Sequence, residues 1–374
     1  MSMNFVPARV GDSIQEIDTP ALILDLDAFE RNMRKMADFA DAAGVRLRPH
    51  AKTHRSAAIA LRQIEMGAVG QCCQKVGEAE ALVRGGVRDV LVSNQVLDVG
   101  KLRRLAALAK SATVALCFDA IEQVDAASQA AQEFGVEMGA LVEIDMGMWR
   151  CGVPAGEAAA ALAVHIDAAP GLKFQGLQAY EGKAQHVQEY ADRAKAIDIA
   201  AAAVRLSVAA IERHGLACPV IGGGGTGTYM FEGQSRLWNE LQCGSYIFMD
   251  GEYAGISGSD GAPYAEFEQS LFVLSTVMSV AGSGRVILDA GLKSYTLEKG
   301  LPTIHGRKDA RLVAASDEHG TVALAPGAVI PLGTKLKLAP SHCDPTVNLH
   351  DAYVCVRNGR VEALWPVSAR GASS

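Results

Sequence analysis

The sequence predicts an α/β chain: a (β/α)8 barrel of the TIM type followed by a C-terminal antiparallel β domain. Three observations carry this reading. Between about residues 20 and 255, short apolar runs alternate with longer alanine-rich segments of helical spacing. Several of the short runs are apolar without alternation, as in parallel strands covered on both faces. After about residue 262 the texture changes to short, β-branched, turn-bounded runs. Roughly eight strand–helix units in about 250 residues is the size of a barrel, with an open doubly wound sheet as the competing arrangement. The barrel is therefore drawn over 20–262 and the β domain over 263–374, with the short polar arm 1–19 joining the β domain.

The strand candidates, in order, are 21–27, 46–53, 68–73, 89–94, 113–119, 139–146, 172–180, 219–223 and 243–249. Segment 28–43 places Phe29, Met33, Met36 and Phe39 on one helical face, and 121–134 and 187–214 repeat the pattern. Right-handed crossovers join such units. In the second half, SLFVLSTVMSV, GRVILDAG, TVALAPG and TKLKLAP read as strands. In VRNGRVEAL, Asn358-Gly359 between alternating residues signals a hairpin of the type I′ class.

Composition limits the function classes. Apolar residues make up 49% and charged residues 21% of 374, enough to bury large cores. The net charge of −7 argues against nucleic acid or an anionic membrane as the main partner. No apolar stretch approaches the roughly 20 residues of a membrane span, and the start has no basic segment leading into an apolar one, so no signal peptide is expected. Eight scattered cysteines without a CxxC read as reduced thiols of a cytoplasmic protein.

Chemistry-bearing residues gather at the C-terminal ends of the strand candidates, the face where barrels build active sites. Lys52, in Arg48-Pro49-His50-Ala51-Lys52-Thr53-His54, ends the second run. Desolvated there and near other cations, a lysine loses its proton more readily and forms Schiff bases; the plain alternative is a solvated loop lysine. Gly222-Gly223-Gly224-Gly225-Thr226-Gly227 follows another strand, and such a run lets backbone N–H groups and the Thr226 hydroxyl approach a phosphate. It matches neither the GxxxxGK[ST] nor the dinucleotide fingerprint, and the alternative is a flexible turn. Asp145 and Arg150 end a further strand, and Tyr180, Glu181 and His186 follow the next. A lysine and a phosphate cradle on one barrel face, with no nucleotide motif, is the minimal description of a pyridoxal 5′-phosphate site. In the β half, His342-Cys343-Asp344 on an extended segment puts His342 and Asp344 on one face. An imidazole and a carboxylate suit Mn, Mg, Fe or Zn, with water or substrate completing the shell. The plain alternative is a turn at Asp344-Pro345.

The motifs RPHAKTH, CCQKVGEAE, EIDMGMWRCGV, GLQAYEG, GGGGTGTY, ELQCGSYIFMD, ILDAGLKS, SDEHG and SHCDPTVNLHD run over nearly the whole chain. Together they resemble the D-threonine aldolase and D-serine dehydratase family of alanine-racemase-like (fold type III) pyridoxal phosphate enzymes. The resemblance implies a cofactor-binding barrel, a β domain that also takes up the run 21–27, and a head-to-tail homodimer. It implies that Lys52 carries the cofactor and that Gly223, Gly224, Gly225, Thr226 and Gly227, with Ser245 and Tyr246, cradle its phosphate. By the same resemblance Arg150 lies near the cofactor's phenolate oxygen or the substrate carboxylate, and Tyr180 contacts the cofactor. Gln242 stands where alanine racemases carry an arginine facing the pyridine nitrogen, which argues against simple racemisation.

The resemblance further implies a divalent metal on His342 and Asp344. The dehydratase branch typically has His-x-Cys there; His-x-Asp resembles the aldolase branch, which favours Mn or Mg. The implied reaction is metal-dependent retro-aldol cleavage of a D-β-hydroxy-α-amino acid, with His186 taking the hydroxyl proton. D-threonine, D-allo-threonine and 3-hydroxy-D-aspartate are the candidate substrates, and ELQCGSY and VRNGRVEALWPVSARG look close to the type that releases glyoxylate. A dehydratase acting on D-serine or D-threo-3-hydroxyaspartate is the alternative. Small single-domain barrels concerned with cofactor homeostasis share the lysine and phosphate motifs but lack the β domain and the metal pair.

Overall fold

The computed structural model describes residues 6–374; the first five residues of the arm lie outside the described residues. The first half runs β1 (Ala21–Asp25), α1 (Leu26–Ala43), β2 (Arg46–Leu47), α2 (Ala57–Glu65), β3 (Gln71–Cys73), α3 (Val76–Arg84), β4 (Asp89–Val92), α4 (Val99–Leu108), β5 (Thr113–Phe118), α5 (Ile121–Phe134), β6 (Met138–Glu143), α6 (Glu157–Ala168), β7 (Leu172–Gln178), α7 (Tyr190–Arg213), β8 (Val220–Gly223), α8 (Tyr229–Gln234) and β9 (Glu240–Leu241). The second half is β10 (Leu271–Ser279), β11 (Arg285–Leu288), β12 (Thr303–Ile304), β13 (Ala310–Ala315), β14 (Gly320–Leu324), β15 (Lys335–Ala339), α9 (Cys343–Val347), β16 (Ala352–Arg357) and β17 (Arg360–Pro366).

Eight strands lie in the order β2-β9-β8-β7-β6-β5-β4-β3, with every ladder parallel. The ring closes between β2 and β3. There Val69 N–H donates to Leu47 O (2.9 Å), Cys72 N–H to Pro49 O (2.8 Å) and Ala51 N–H to Cys72 O (2.7 Å). The arrangement is thus a closed barrel and not an open sheet. Val90, Val92, Val114, Leu116, Phe118, Ala140 and Val142 pack outward on the helices. Leu91, Ala115, Cys117 and Leu141, with Cys72, form a separate cluster inside, as the strand period of two requires. Toward the start of the strands Arg48 fills the interior, paired with Glu240 (2.9 Å) and Asp89 (2.5 Å).

The second sheet has nine strands, running β13-β14-β11-β10-β1-β16-β17, with β15 pairing β10 and β12. It is antiparallel except at β1–β16, which is parallel. The range 20–262 drawn for the barrel includes β1, yet β1 pairs with β10 and β16 of this second sheet. A run such as ALILD is apolar throughout and carries no mark of which sheet will take it. The described part of the arm lies on the same sheet: Gly11 N–H donates to Val361 O (2.8 Å) and Ile14 N–H to Gly359 O (2.9 Å). Asn358 and Gly359 turn the β16–β17 hairpin with positive φ (51° and 74°), as a type I′ turn demands.

Two strand candidates end earlier than expected. Segment 46–53 is strand only at Arg46–Leu47; past His50 the chain turns, with His54 N–H on Ala51 O (3.2 Å). Segment 243–249 is not a strand: Ser245–Ile247 is a 3-10 turn whose apolar neighbours Phe248 and Met249 sink into the core beneath the β domain. Gly244 permits this turn to lie against the Lys52 segment, because a Cβ there would stand 2.5 Å from Thr53 Oγ1. All eight cysteines are free thiols. Among the described residues no helix is long and apolar enough to cross a membrane.

Candidate active site

A cavity of about 390 Å³ opens at the C-terminal ends of the barrel strands. Lys52, Arg150, Tyr180, His186, Gly224, Gly225, Thr226, Gln242 and Ser245 all line it. The barrel itself explains this convergence: each residue follows directly on a strand or its turn, so parallel strands deliver them to one rim.

Lys52 projects from the turn after β2, and its Nζ lies 2.7 Å from Asp344 Oδ2 of the β domain. The expectation of a readily deprotonated lysine is corrected here. The Asp344 carboxylate outweighs desolvation and holds the ammonium above its ordinary value. The neighbouring histidines add little positive charge. Burial, with Lys52 beside it, pushes the His50 imidazole well below its usual range, and burial takes His54 down to about 4. His50 Nδ1 accepts the Lys52 backbone N–H (3.3 Å), which fixes the lysine's own peptide.

The glycine loop leaves β8 and supplies donors without acceptors. Among the described residues, the N–H groups of Gly224, Gly225 and Thr226 find no acceptor, and the buried Thr226 Oγ1 has no partner. Gly224 has φ +80°, a conformation only glycine adopts without strain. Unpaired buried donors at one end of a cavity are costly unless an anion completes them. Gly223 ends β8, and Gly227 N–H already donates to Gln185 Oε1 (2.8 Å), so neither opens onto the cavity. Ser245 lines it. Tyr246 does not: its hydroxyl accepts from Gln63 Nε2 (3.0 Å) and its ring packs on Phe267, inside the core beneath the β domain.

Gln242 faces Gln178 in a reciprocal amide pair, Nε2 to Oε1 in both directions (2.9 and 2.7 Å). The Arg150 guanidinium is half-exposed, 4.0 Å from Glu143, whose carboxyl is pushed up by burial. Burial likewise raises Tyr180.

Behind His186 and Asp344, acidic and basic groups alternate. His186, in the 3-10 turn Lys183–His186, donates Nδ1–H to Glu252 (2.8 Å). Lys299 donates to the same carboxylate oxygen (2.9 Å). Burial alone would push Glu252 up, but these two hydrogen bonds and charges take it down to about 2. His342 caps α9 and shares a 2.9 Å hydrogen bond between Nδ1 and Glu298 Oε2. The extended His-x-Asp segment is therefore corrected: His342 is extended, but Cys343 and Asp344 begin a helical turn, because Cys343 N–H is drawn to Asp250 Oδ2 (2.9 Å). Lys52 holds the Asp344 carboxyl well below the usual range against the pull of burial.

Among the described residues no group of three or more His, Cys, Asp or Glu is gathered as a metal cage. The chemistry of His342 and Asp344, one imidazole and one carboxylate, suits an open divalent site of two protein ligands. The Lys52 amine, the free N–H row and the orphaned Thr226 hydroxyl suit an aldehyde cofactor bearing a phosphate.

Sequence reasoning missed Gln178, Gln185, Glu252, Glu298 and Lys299. Gln178 lies inside the quoted GLQAYEG segment and was within reach of it. Glu298 and Lys299 sit in a loop before β12 with no local signal.

A closed parallel barrel with this lysine, this glycine loop and a β domain over its rim defines an alanine-racemase-like enzyme barrel. Residues 24–252 match the family model described as alanine racemase, N-terminal domain, and residues 270–356 match the one described as a putative serine dehydratase domain. The chain belongs to this pyridoxal phosphate-dependent, fold type III family. It is 50% identical to 3-hydroxy-D-aspartate aldolase of Paracoccus denitrificans (strain Pd 1222), over 98% of this chain and 95% of that one. It is 48% identical to D-threonine aldolase of an Arthrobacter species, over 98% and 96%. The crystal structure of D-threonine aldolase from Filomicrobium marinum superposes with a TM-score of 0.96 at 45% identity, covering 99% of this chain and 100% of that one. D-threo-3-hydroxyaspartate dehydratase of Delftia sp. (strain HT23) is more distant, at 30% identity over 91% of this chain and 95% of that one.

Proposed function

We propose that the protein is an aldehyde-lyase that cleaves a D-β-hydroxy-α-amino acid to glycine and an aldehyde, with pyridoxal phosphate and a divalent ion. The observation that carries this reading is the convergence of Lys52, His186 and the glycine-loop anion cradle on one cavity, with Asp344 held against Lys52 at 2.7 Å. The two relatives near 50% identity that bear aldolase names support it.

In this reading Lys52 Nζ is the amine that holds the cofactor's aldehyde carbon. The N–H groups of Gly224, Gly225 and Thr226, with the Thr226 and Ser245 hydroxyls, hold its phosphate; Tyr246 stands outside the cavity. Gln242, neutral and clasped by Gln178, brings no charge to the ring nitrogen. Arg150, the half-exposed cation of the rim, takes the substrate carboxylate, and Tyr180 packs against the ring. When bound, the cofactor ring accepts the electron pair of the broken Cα–Cβ bond, and a divalent ion on His342 and Asp344 polarises the β-hydroxyl. His186 does the proton work. Glu252 accepts the Nδ1–H, which in the neutral imidazole places the lone pair on Nε2, the atom that takes the β-hydroxyl proton. As that proton leaves, the C–O bond becomes a carbonyl, the aldehyde departs, and a proton returned to Cα completes glycine.

The cavity's cations suit a substrate with one or two carboxylates, so D-threonine and 3-hydroxy-D-aspartate are the substrates to offer. Mn and Mg are the ions to supply. A homodimer in the cytoplasm is the expected assembly and place, supported by the family resemblance and the free thiols. The test is a product assay with each substrate, with and without EDTA. Glycine with acetaldehyde or glyoxylate, lost on chelation, is expected. A keto acid with ammonia and no glycine would move the protein to the dehydratase reading. Light scattering in solution checks the dimer.

A further inference from the structure

Arg193 is fully buried, in the first turn of α7. Among the described residues no carboxylate pairs with it. Its guanidinium donates instead to four carbonyls: Nε to Gly227 O (3.2 Å), Nη1 to Val187 O (2.9 Å) and Gln188 O (2.7 Å), and Nη2 to Ser257 O. A buried cation without a counter-ion is expensive. Its position raises the cost, since a helix N-terminus repels positive charge. Burial accordingly lowers its affinity for its proton. The four carbonyls and the Tyr190 ring, 5.7 Å from the guanidinium, occupy its donors and its face but supply no full negative charge.

The surroundings point to an anion. Gly227 is the last residue of the glycine loop, one residue beyond Thr226 with its unpartnered hydroxyl. Arg193 grips the Gly227 carbonyl, and Gln185 Oε1 grips the N–H of the same residue (2.8 Å). Gln185 Nε2 donates to Thr228 Oγ1 (2.7 Å), which in turn donates to the buried Glu232 (2.8 Å). Gln185 directly precedes His186, and the two residues after His186 lend their carbonyls to Arg193. The glycine loop and the histidine turn are thus clamped together from both sides by two buried side chains.

We propose that Arg193 is the buried counter-charge of the cofactor phosphate and, with Gln185, a positioning residue that fastens the His186 turn to the phosphate loop. This rests on the pyridoxal phosphate reading above. The phosphate dianion relieves the uncompensated charge of Arg193 across the Gly227 peptide, with no direct contact required. The cradle filled in this way also holds the catalytic histidine in place.

The test uses the full chain freed of cofactor and compares pyridoxal phosphate with pyridoxal, which lacks the phosphate. Both form an absorbing adduct with Lys52, so two dissociation constants follow by titration. In the wild type the phosphorylated form binds far more tightly. In Arg193→Met that preference falls by about tenfold or more, the size of a coupling between neighbouring charges, while the pyridoxal constant stays within a few-fold. Arg193→Lys keeps the charge and retains most of the preference. A merely structural arginine would weaken both ligands alike, and an unchanged ratio in Arg193→Met overturns the counter-charge. Where Arg193→Met gives no folded protein, Arg193→Lys decides: a collapsed preference in it overturns the proposal. For the clamp, inorganic phosphate added to the pyridoxal-loaded wild type raises both the thermal midpoint and kcat. In Gln185→Ala the midpoint still rises but kcat does not; a kcat that still rises overturns the clamp. Failure of the cofactor reading itself looks different: no Lys52-dependent absorbance with either aldehyde.

Discussion

Two sets of polar groups, one in the cavity and one behind it, are handled in opposite ways. At the glycine loop, donors stand without acceptors: three N–H groups and the Thr226 hydroxyl, held in place by side chains behind them. Behind Lys52 and His186 the polar groups already have protein partners: Asp344 has Lys52, His342 has Glu298, and His186 has Glu252, itself shared with Lys299. The first set is built rigid and waits for an anion. The second is built of ion pairs. In the proposed reading its central pair, Lys52–Asp344, would open when the lysine engages the cofactor aldehyde and would free the Asp344 carboxylate for a divalent ion, so metal affinity is expected to rise when the lysine is occupied.

The sharpest way to separate the two sets is Glu252→Gln. Loss of the carboxylate removes the fixed tautomer of His186, and kcat is expected to fall about 10²-fold or more with little change in cofactor affinity. Equal losses in both would erase the distinction. Next in size is Glu298→Gln, which disturbs a histidine from behind. Outer-shell partners of this kind are worth about 10–100-fold in metal affinity or activity, to be read from the metal dependence of turnover; pyridoxal phosphate affinity is the control that stays put.

At the phosphate end, Glu232 gives a pH-dependent effect on stability. Burial pushes its carboxyl up to about 7. The folded chain therefore holds a proton that the unfolded chain, near 4.3, gives up. That stabilisation is complete below the unfolded value and is lost as pH rises through 7. Glu232→Gln is expected to be more stable than the wild type at pH 8.5, by on the order of 2 kcal/mol, with the gap closing toward pH 5. A melting series across that range checks it, and a gap of opposite slope would contradict the assigned burial. The smallest effect is Tyr246→Phe, which loses one buried hydrogen bond worth about 1 kcal/mol in thermal unfolding. Cofactor affinity is expected to be unmoved, since that hydroxyl points into the core.

These contrasts also mark what the sequence made legible. Lys52, the glycine loop, Arg150 and Tyr180 were readable because each follows a strand candidate, and a parallel barrel turns strand ends into one rim. The residues behind them were not. Glu252 meets His186 across 66 positions and Lys299 meets Glu252 across 47, pairings set by how the β domain lies over the barrel and by no local pattern. The run YIFM at 246–249 shows the limit of hydrophobic patterning: full burial makes a 3-10 turn look like a covered strand. His342-Cys343-Asp344 leaves the extended backbone expected of it, because Asp250, distant in sequence, takes the Cys343 N–H into a helical turn.

The placement of β1 has a consequence for synthesis. This strand leaves the ribosome well before its neighbours in the sheet, β10 and β16, the latter about 330 residues further along. At translation rates of roughly 5–20 residues per second, ALILD waits on the order of tens of seconds with both edges bare. Meanwhile the barrel strands from β3 to β9, each paired with the next in sequence, can already assemble. The apolar first strand is therefore the segment a nascent-chain chaperone has most reason to cover.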